Sequence, residues 1–227
     1  MYQNRFISRL FHTSVYCLQQ ELNGCNFVLD LGYGSDSPIK YCNVYQSVGV
    51  DAFPSSVKAS KDKRIHSQYV LSEITNLNFR PASFDAVILI EVLEHLPKKK
   101  GDLLLEKAET WARKKVIVSS PNGYFPVPDV NGNPYFRHIS GWDVEKMKGR
   151  GYKAHGMAGL KILRKENVSE KMEDENAILS TIRFRPKLFW LIVSELAQII
   201  TYHFPEVAFE VFYVKAPLEF NRDGEVA

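Results

Sequence analysis

Apolar runs and more polar, helix-patterned stretches alternate along most of the chain. Short apolar runs of this kind predict strands. The runs are FVLDL (27–31), SVGVDA (47–52), QYVLS (68–72), FDAVILI (84–90) and KKVIVSS (114–120). Because segments such as VILI are apolar on consecutive residues, they indicate central parallel strands covered by helices on both faces. The pattern therefore predicts an α/β fold with a doubly wound open sheet.

The last part of the chain departs from this alternation. The segment AFEVFYVKA (208–216) alternates like an edge strand, and the stretch before it is longer than such a fold needs. Within that stretch, KLFWLIVSELAQIITY predicts a helix. Its apolar face is expected to pack on the domain as a lid, and dimerisation or docking onto a lipid surface are the alternatives.

These patterns divide one predicted domain into consecutive parts. The parts are an N-terminal helical cover (1–25), a ligand-binding core (26–160), a helical insertion (161–206) and a final strand (207–217). The N-terminal part is interpreted as a cover over the ligand, with a surface anchor as the alternative.

The composition limits the classes of function. Apolar residues make up 45% of the chain and charged residues 24%, as in an ordinary soluble domain. The net charge of +3 is far from that of a dedicated DNA-binding protein, and RNA is not an expected partner. The three cysteines form no CxxC pair, which favours reduced thiols over disulfides or zinc. Because neither a secretion signal nor a run of about 18 apolar residues is present, we expect a cytoplasmic protein.

Acidic side chains stand at the ends of four consecutive predicted strands. Asp30 precedes a turn with two glycines in DLGYG, and such turns let the backbone approach a ligand beyond the carboxyl ends of parallel strands. Asp51 ends the second strand, where an acid can accept hydrogen bonds from both hydroxyls of a ribose. Glu73 and Glu91 end the third and fourth strands. Four such acids predict a nucleoside site and disfavour a simple tight turn.

This combination resembles the class I S-adenosylmethionine-dependent methyltransferases, in particular the type 11-like group with an EVLEHL segment after the fourth strand. The resemblance covers residues 26 to about 155. It implies a Rossmann-like, mainly parallel sheet of seven strands with an antiparallel edge strand, and S-adenosylmethionine as the cofactor. A ring of carboxylates suits the positive sulfonium and ammonium of this cofactor, whereas it would repel the pyrophosphate of a nicotinamide dinucleotide.

The resemblance also implies which residues bind the cofactor. Asp30 and the glycines would lie against its methionine part, Asp51 would hold the ribose, and the third and fourth strand ends would flank the adenine and the sulfonium. The expected cofactor residues are Asp30, Gly32, Tyr33, Gly34, Asp51, Ala52, Glu73, Ile74, Glu91 and Val92.

The glycine motif departs from the family pattern. Asp36 stands where a third glycine usually falls and is followed by Ser37 and Pro38. Helix N-capping is the preferred interpretation of Asp36 and Ser37, and Pro38 suits the first turn of the following helix. Tyr33 replaces a common cysteine and would either face the ligand or pack inward.

Two histidines are candidate general bases. The sulfonium is already a strong electrophile, so a hydroxyl acceptor needs only alignment and removal of its proton. His95 in EVLEHLP and His138 in PYFRHISGW are expected to serve this step, and a structural role is the alternative for each. Ser140 with Asp143 predicts a capping box that would hold His138 just before a helix.

The expected reaction is methyl transfer to oxygen of a small or medium acceptor molecule. The loop after the fifth strand is expected to shape the acceptor pocket. Its candidate lining residues are Asn122, Tyr124, Phe125, Tyr135, Phe136 and Arg137.

Two other functions stay open. Glu91, Glu94, His95 and His138 resemble the metal-binding set of small-RNA 3′-end methyltransferases, in which a divalent ion would activate a terminal ribose hydroxyl. Because EVLEHL also occurs in enzymes that use no metal, we expect no metal ion. A non-catalytic binding module that retains the fold is the second alternative, and the altered glycine motif supports it. The oligomeric state and peripheral membrane contact are left open.

Overall fold

The described residues of the computed structural model, 9, 11–127, 137–165, 179 and 181–216, contain a seven-stranded sheet. Its strands are β1 (Phe27–Leu31), β2 (Gln46–Asp51), β3 (Gln68–Leu71), β4 (Phe84–Ile90), β5 (Ala112–Pro121), β6 (Lys153–Leu160) and β7 (Ala208–Lys215). They are ordered β3-β2-β1-β4-β5-β7-β6, mostly parallel, with antiparallel strands near the C-terminal end. The predicted Rossmann-like fold is confirmed.

The predicted alternation of helices and strands holds in part, since an α-helix follows β2, β4, β5 and β6, whereas only 3-10 turns lie between β1 and β2 and between β3 and β4. They are α1 (Ser14–Glu21), α2 (Pro54–Asp62), α3 (Lys98–Trp111), α4 (Val144–Gly149) and α5 (Lys187–Thr201). Short 3-10 turns cover Pro38–Tyr41, Ile74–Asn76, Leu93–His95, Lys161–Leu163 and Pro205–Val207. Among the described residues, no helix combines the length and the apolarity needed to cross a membrane.

The parallel register brings the predicted acids to one edge of the sheet. Strand β1 pairs in parallel with β2 on one side and β4 on the other, so that Asp30 lies opposite both Gly49 and Ile88. Strand β2 pairs in parallel with β3, and Asp51 is the last residue of its strand. Because parallel strands end on the same side, Asp30 and Asp51 both reach the carboxyl edge, where ligands bind in open sheets.

Strand β7 lies inside the sheet. Its alternation predicts an edge strand, yet β7 has β5 and β6 as neighbours, and Val211, Phe212 and Tyr213 are at most 1% exposed. The edge position belongs to β6, which was not among the predicted runs. Two glycines, Gly156 and Gly159, interrupt the apolar pattern of β6 and explain why the sequence gives no strand signal there.

The predicted helix of the insertion is observed, but the face that it buries is not the predicted one. Helix α5 buries Ser194, Gln198 and Thr201, whereas its six exposed large apolar side chains are Leu188, Phe189, Ile192, Leu196, Ile199 and Ile200. The lid interpretation, in which the apolar face packs on the domain, is therefore wrong.

The chain divides into two compact units. Unit 1 comprises Met1–Tyr16, Leu93–Pro97 and Ser119–Tyr213, and unit 2 comprises Cys17–Val92, Lys98–Val118 and Val214–Ala227. The predicted division into cover, core, insertion and final strand stays a prediction.

Candidate cofactor site and histidine cluster

Asp30 is buried at the end of β1 and is hydrogen-bonded by a neighbouring serine. Ser37 Oγ donates to Asp30 Oδ2 at 2.5 Å and accepts from the backbone N–H of Ile39 at 3.2 Å, which confirms the predicted capping role of Ser37. The Nε2 atom of His66 lies 3.5 Å from the same carboxylate oxygen. Burial raises the pKa of Asp30 to about 7, although the hydrogen bond from Ser37 acts in the opposite direction. A cationic ligand group would favour the charged form of this carboxyl.

The two glycines after Asp30 have different reasons to be glycine. Both have positive φ, +66° at Gly32 and +62° at Gly34. A Cβ atom on Gly32 would lie 2.9 Å from a methyl carbon of Val92, so this position needs close packing as well as the left-handed conformation. A Cβ atom on Gly34 would meet nothing within 4 Å. The backbone at Gly34 therefore borders open space, as a ligand-binding turn requires.

Asp51 is held in place by backbone N–H groups. Its Oδ2 accepts from Gly34 at 2.9 Å and its Oδ1 accepts from Phe53 at 2.8 Å. Burial raises the pKa of Asp51, and these backbone hydrogen bonds oppose that increase. Each carboxylate oxygen has a second lone pair, which is what two ribose hydroxyls would use.

The ends of β3 and β4 carry exposed carboxylates. Glu73 is exposed and precedes the 3-10 turn in which Ile74 is buried. Glu91 is exposed and has a φ of +54°, a conformation that is costly for a residue with a Cβ atom and that is concentrated at functional sites. The sequence predicts cofactor contacts at both positions. All ten residues of the predicted cofactor site lie in unit 2.

Tyr33 packs inward in the glycine turn. It is 6% exposed, and its ring centroid lies 4.7 Å from that of His66 and 6.3 Å from that of Tyr69. A Cβ atom on Gly49 would lie 2.4 Å from the ring of His66, so a glycine in β2 makes room for this histidine. The sequence analysis missed His66, since an isolated histidine before a strand carries no motif.

Asp36, at the position of the missing third glycine, lies on the surface. Its carboxylate pairs with Lys40 at 2.6 Å and with Lys63 at 3.0 Å, and these lysines lower its pKa. Asp36 therefore forms a salt-bridge cluster, and the cap is Ser37 alone.

His95 and His138 lie together in unit 1. Their ring centroids are 4.8 Å apart, with an angle of 76° between the ring planes. The Nδ1 atom of His138 is 2.7 Å from the carbonyl oxygen of Phe125, and that of His95 is 3.2 Å from the carbonyl oxygen of Arg137. Because a carbonyl can only accept, each Nδ1 carries the proton and each Nε2 keeps its lone pair.

The environment keeps both imidazoles neutral. Burial lowers the pKa of His138 to about 4, with His95 as a second cause, and burial also lowers the pKa of His95. The Glu94 side chain, 2% exposed, completes the cluster: it and the two histidines each offer one ligand atom, and these atoms lie within 4.8 Å of one another. The arrangement offers proton acceptors and, equally, ligands for a divalent ion.

Backbone hydrogen bonds join this cluster to the segment that follows it. The N–H groups of Ile139 and Ser140 donate to the carbonyl oxygen of Glu94 at 2.8 and 3.1 Å, and Ser140 Oγ donates to the carbonyl of Leu93 at 3.0 Å. The predicted capping box is wrong, because Ser140 makes these contacts. Asp143 alone caps α4, its Oδ1 accepting from the N–H of Lys146 at 2.9 Å.

The candidate lining residues in the loop after β5 differ in their burial. Asn122 Nδ2 donates to the carbonyl oxygens of Pro205, Glu206 and Ala208 at 3.0 to 3.1 Å, so this amide ties down the chain before β7. Phe125 is buried against Phe209. The two candidate lining residues that are exposed are Tyr124 and Arg137, and two more, Tyr135 and Phe136, lie outside the described residues.

Comparison with known proteins agrees with this geometry. Residues 29–118 match the family model of the methyltransferase domain. The fold is similar to a SAM-dependent methyltransferase from Archaeoglobus fulgidus, with a TM-score of 0.54 and 16% identity over 95% of this chain and 100% of that one. It is also similar to the methyltransferase domain of bacterial CtHen1-CN, with a TM-score of 0.53 and 18% identity over 92% of this chain and 100% of that one.

A further similar structure is the PH0226 protein from Pyrococcus horikoshii, with a TM-score of 0.43 and 19% identity. The match covers 52% of this chain and 59% of the length of that protein. No curated protein matches the chain.

Proposed function

We propose that this chain, whose residues 29–118 match the family model of a methyltransferase domain, is a class I S-adenosylmethionine-dependent methyltransferase that methylates an oxygen atom of a small or medium acceptor molecule. S-adenosylmethionine is the cofactor and supplies the methyl group. The acceptor O–H bond breaks, its oxygen attacks the methyl carbon, and S-adenosylhomocysteine leaves.

The observation that carries the oxygen assignment is the placement of the two histidines, whose Nδ1 atoms each lie within hydrogen-bond distance of a backbone carbonyl oxygen. Each Nδ1–H donates to a backbone carbonyl oxygen. The lone pair of each Nε2 is therefore left for a partner other than that carbonyl. The low pKa of His138 keeps this nitrogen unprotonated at neutral pH, and the carboxylate of Glu94 would stabilise the imidazolium that forms during transfer. His138 is the first candidate for the base, and His95 is the second.

The test is to change each histidine and measure two quantities. We expect His138→Ala or His95→Ala to lower the turnover number by about 100-fold or more, because an alcohol then loses its proton acceptor. Affinity for S-adenosylmethionine, measured by calorimetric titration, should stay within about 2-fold of the wild-type value, because neither histidine is among the predicted cofactor residues.

His155→Ala serves as the control, because this histidine belongs to unit 1 but stacks on Tyr202, with ring centroids 4.5 Å apart, and is not part of the cluster. Wild-type turnover in both cluster variants would contradict the general-base role. The acceptor would then be a group that needs no proton acceptor, such as a thiolate.

A second candidate function follows from the same cluster. Glu94, His95 and His138 offer three ligand atoms within 4.8 Å of one another, and both histidines donate Nδ1–H to carbonyls, as metal-binding histidines usually do. The residues therefore fit a divalent ion, which would lower the pKa of a bound hydroxyl. Methylation of a terminal ribose hydroxyl of RNA is the reaction that this site would suit.

Removal of metal separates the two functions. If a histidine is the base, dialysis against a chelator leaves turnover unchanged. In the second, the chelator abolishes turnover and magnesium or manganese restores it. We expect full activity in the chelator. Strict dependence on an added divalent ion, lost in Glu94→Gln, would contradict the first proposal in favour of the second.

A further inference from the structure

The apolar face of α5 points away from the protein. Its large side chains are between 41% and 63% exposed. The face consists of Leu188, Phe189, Ile192, Leu196, Ile199 and Ile200. At 100° per residue these positions fall within an arc of about 120°, opposite the buried Ser194, Gln198 and Thr201. The helix is thus amphipathic with its polar side inward.

The contacts of the inward side fix this orientation. Gln198 Nε2 donates to the carbonyl of Gly156 at 2.9 Å, and Gln198 Oε1 accepts from the N–H of Gly159 at 3.0 Å. A Cβ atom on either glycine would lie about 2 Å from the carbonyl oxygen of Thr201 or Ser194, so the backbones of α5 and β6 are in direct contact. No larger side chain fits between them. Rotation of the helix to bury its apolar face would break these contacts.

Positive charge is concentrated at the N-terminal end of α5. Arg183 and Arg185 are exposed and immediately precede the helix, and Lys187 is its first residue. Two aromatic rings, those of Phe184 and Trp190, lie beside them at a centroid distance of 5.4 Å.

Two acidic residues of this region lie near cations that are not part of the cationic end. Glu206 pairs with Lys148 at 2.7 Å. Burial lowers the pKa of Arg164, and the charge of Glu195 opposes that decrease. The exposed surface of α5 therefore combines an apolar face, interfacial aromatics and a cationic end.

We propose that α5 docks this chain onto an anionic lipid bilayer. The helix would lie in the plane of the interface, with its apolar face in the acyl boundary and its cationic end against the headgroups. With 15 residues it is about 22 Å long, too short for a hydrocarbon core of about 30 Å. A second copy of the chain fits this surface less well, because it would bring further cations to it. Anionic headgroups would instead neutralise the cations of the helix end. This inference is independent of the acceptor and of the catalytic base.

Vesicle co-sedimentation tests the proposal on the full chain. We expect the protein to bind vesicles of phosphatidylcholine with phosphatidylglycerol, and to bind pure phosphatidylcholine at least 10-fold more weakly. The double variant Ile192→Asn with Leu196→Asn should weaken binding by about 100-fold. Arg183→Gln with Arg185→Gln should weaken it by about 10-fold at low salt and less at high salt.

Leu103→Asn is the matched control, because Leu103 is 59% exposed but lies on α3 and not on α5. We expect this substitution to leave vesicle binding unchanged. Thermal melting followed by circular dichroism verifies that each variant folds. Calorimetric titration with S-adenosylmethionine on the same variants should give the wild-type affinity, so a failure of docking is distinguishable from a failure of the methyltransferase function.

The proposal is overturned if the wild type does not sediment with anionic vesicles, or if the α5 variants bind as the wild type does. It is also overturned if sedimentation equilibrium shows a dimer that Leu196→Asn dissociates, since a second copy then occupies the face.

Discussion

Asp30 links the charge state of the proposed cofactor site to pH. Burial raises its pKa from an ordinary 3.8 to about 7, so the folded protein without ligand holds a proton on this carboxyl at mildly acidic pH. The sign follows from the linkage: a raised carboxyl pKa favours the folded state at low pH, and that contribution is lost as the pH rises from 3.8 through about 7. A cationic ligand favours the ionised form and therefore binds with release of a proton.

We predict that affinity for S-adenosylmethionine increases as the pH rises towards 7, by up to about 10-fold per pH unit below the pKa of Asp30. Calorimetric titration across this range, in buffers of different ionisation enthalpy, measures the affinity and the number of protons released. Asp30→Asn has no titrating carboxyl and should give a flat profile at low affinity. A flat profile in the wild type would contradict the linkage to Asp30, and the same slope in the variant would show that another group is responsible.

Single residues show what a sequence can and cannot predict. Ser37 was predicted as a cap from its place before a proline, and the structure confirms this because capping depends on neighbours in sequence. The burial of Tyr33 against His66 depends instead on the pairing of β1 and β2, which places Gly49 beneath both rings. Such a contact leaves no local pattern.

Helix α5 and strand β6 pack backbone to backbone, because the glycines of β6 have no side chains. Gly159 has a φ of +72°, and a Cβ atom there would lie 2.2 Å from the carbonyl oxygen of Ser194. We predict that Gly159→Ala lowers the free energy of unfolding by about 2 to 4 kcal/mol, through backbone strain together with overpacking. Urea denaturation measures the difference.

Gly24→Ala is the control for this substitution. Gly24 has a similar φ of +78°, but a Cβ atom there would meet nothing within 4 Å. Gly24→Ala should lower the free energy of unfolding by only about 1 kcal/mol, which is the strain of the left-handed conformation. Equal losses in the two variants would mean that backbone strain, and not the contact with α5, explains the effect.

The elements that the sequence predicts correctly are those with continuous apolar runs. Strands β1 and β4 match their predicted bounds, because parallel strands that are buried on both faces are mainly apolar along their length. The orientation of α5 could not be predicted, since an apolar stripe normally faces the core. Its inward side is instead selected by the glycines of β6, which are distant in sequence.

For the chain as a whole, the sequence predicts which acids and histidines come together better than it predicts their hydrogen bonds. The strand-end acids share one edge because parallel pairing aligns them, so their order along the chain suffices to predict it. The contact between His95 and His138 bridges 43 positions, and the backbone carbonyls that set their tautomers are known only from the fold. The edge shared by the strand-end acids and the convergence of the two histidines are therefore predictable from the sequence, whereas the tautomers of the histidines are not.

The most direct test of the account is calorimetric titration of the wild type, Asp51→Ala and Asp36→Ala with S-adenosylmethionine. We predict that the wild type binds and that Asp51→Ala loses about 1 to 3 kcal/mol of binding free energy, because two ribose hydroxyls lose a charged acceptor. Asp36→Ala removes an acid near the glycine turn whose carboxylate pairs with Lys40 and Lys63 on the surface, and this variant should bind as the wild type does. No binding by the wild type, or equal affinity of wild type and Asp51→Ala, would contradict the cofactor site described above.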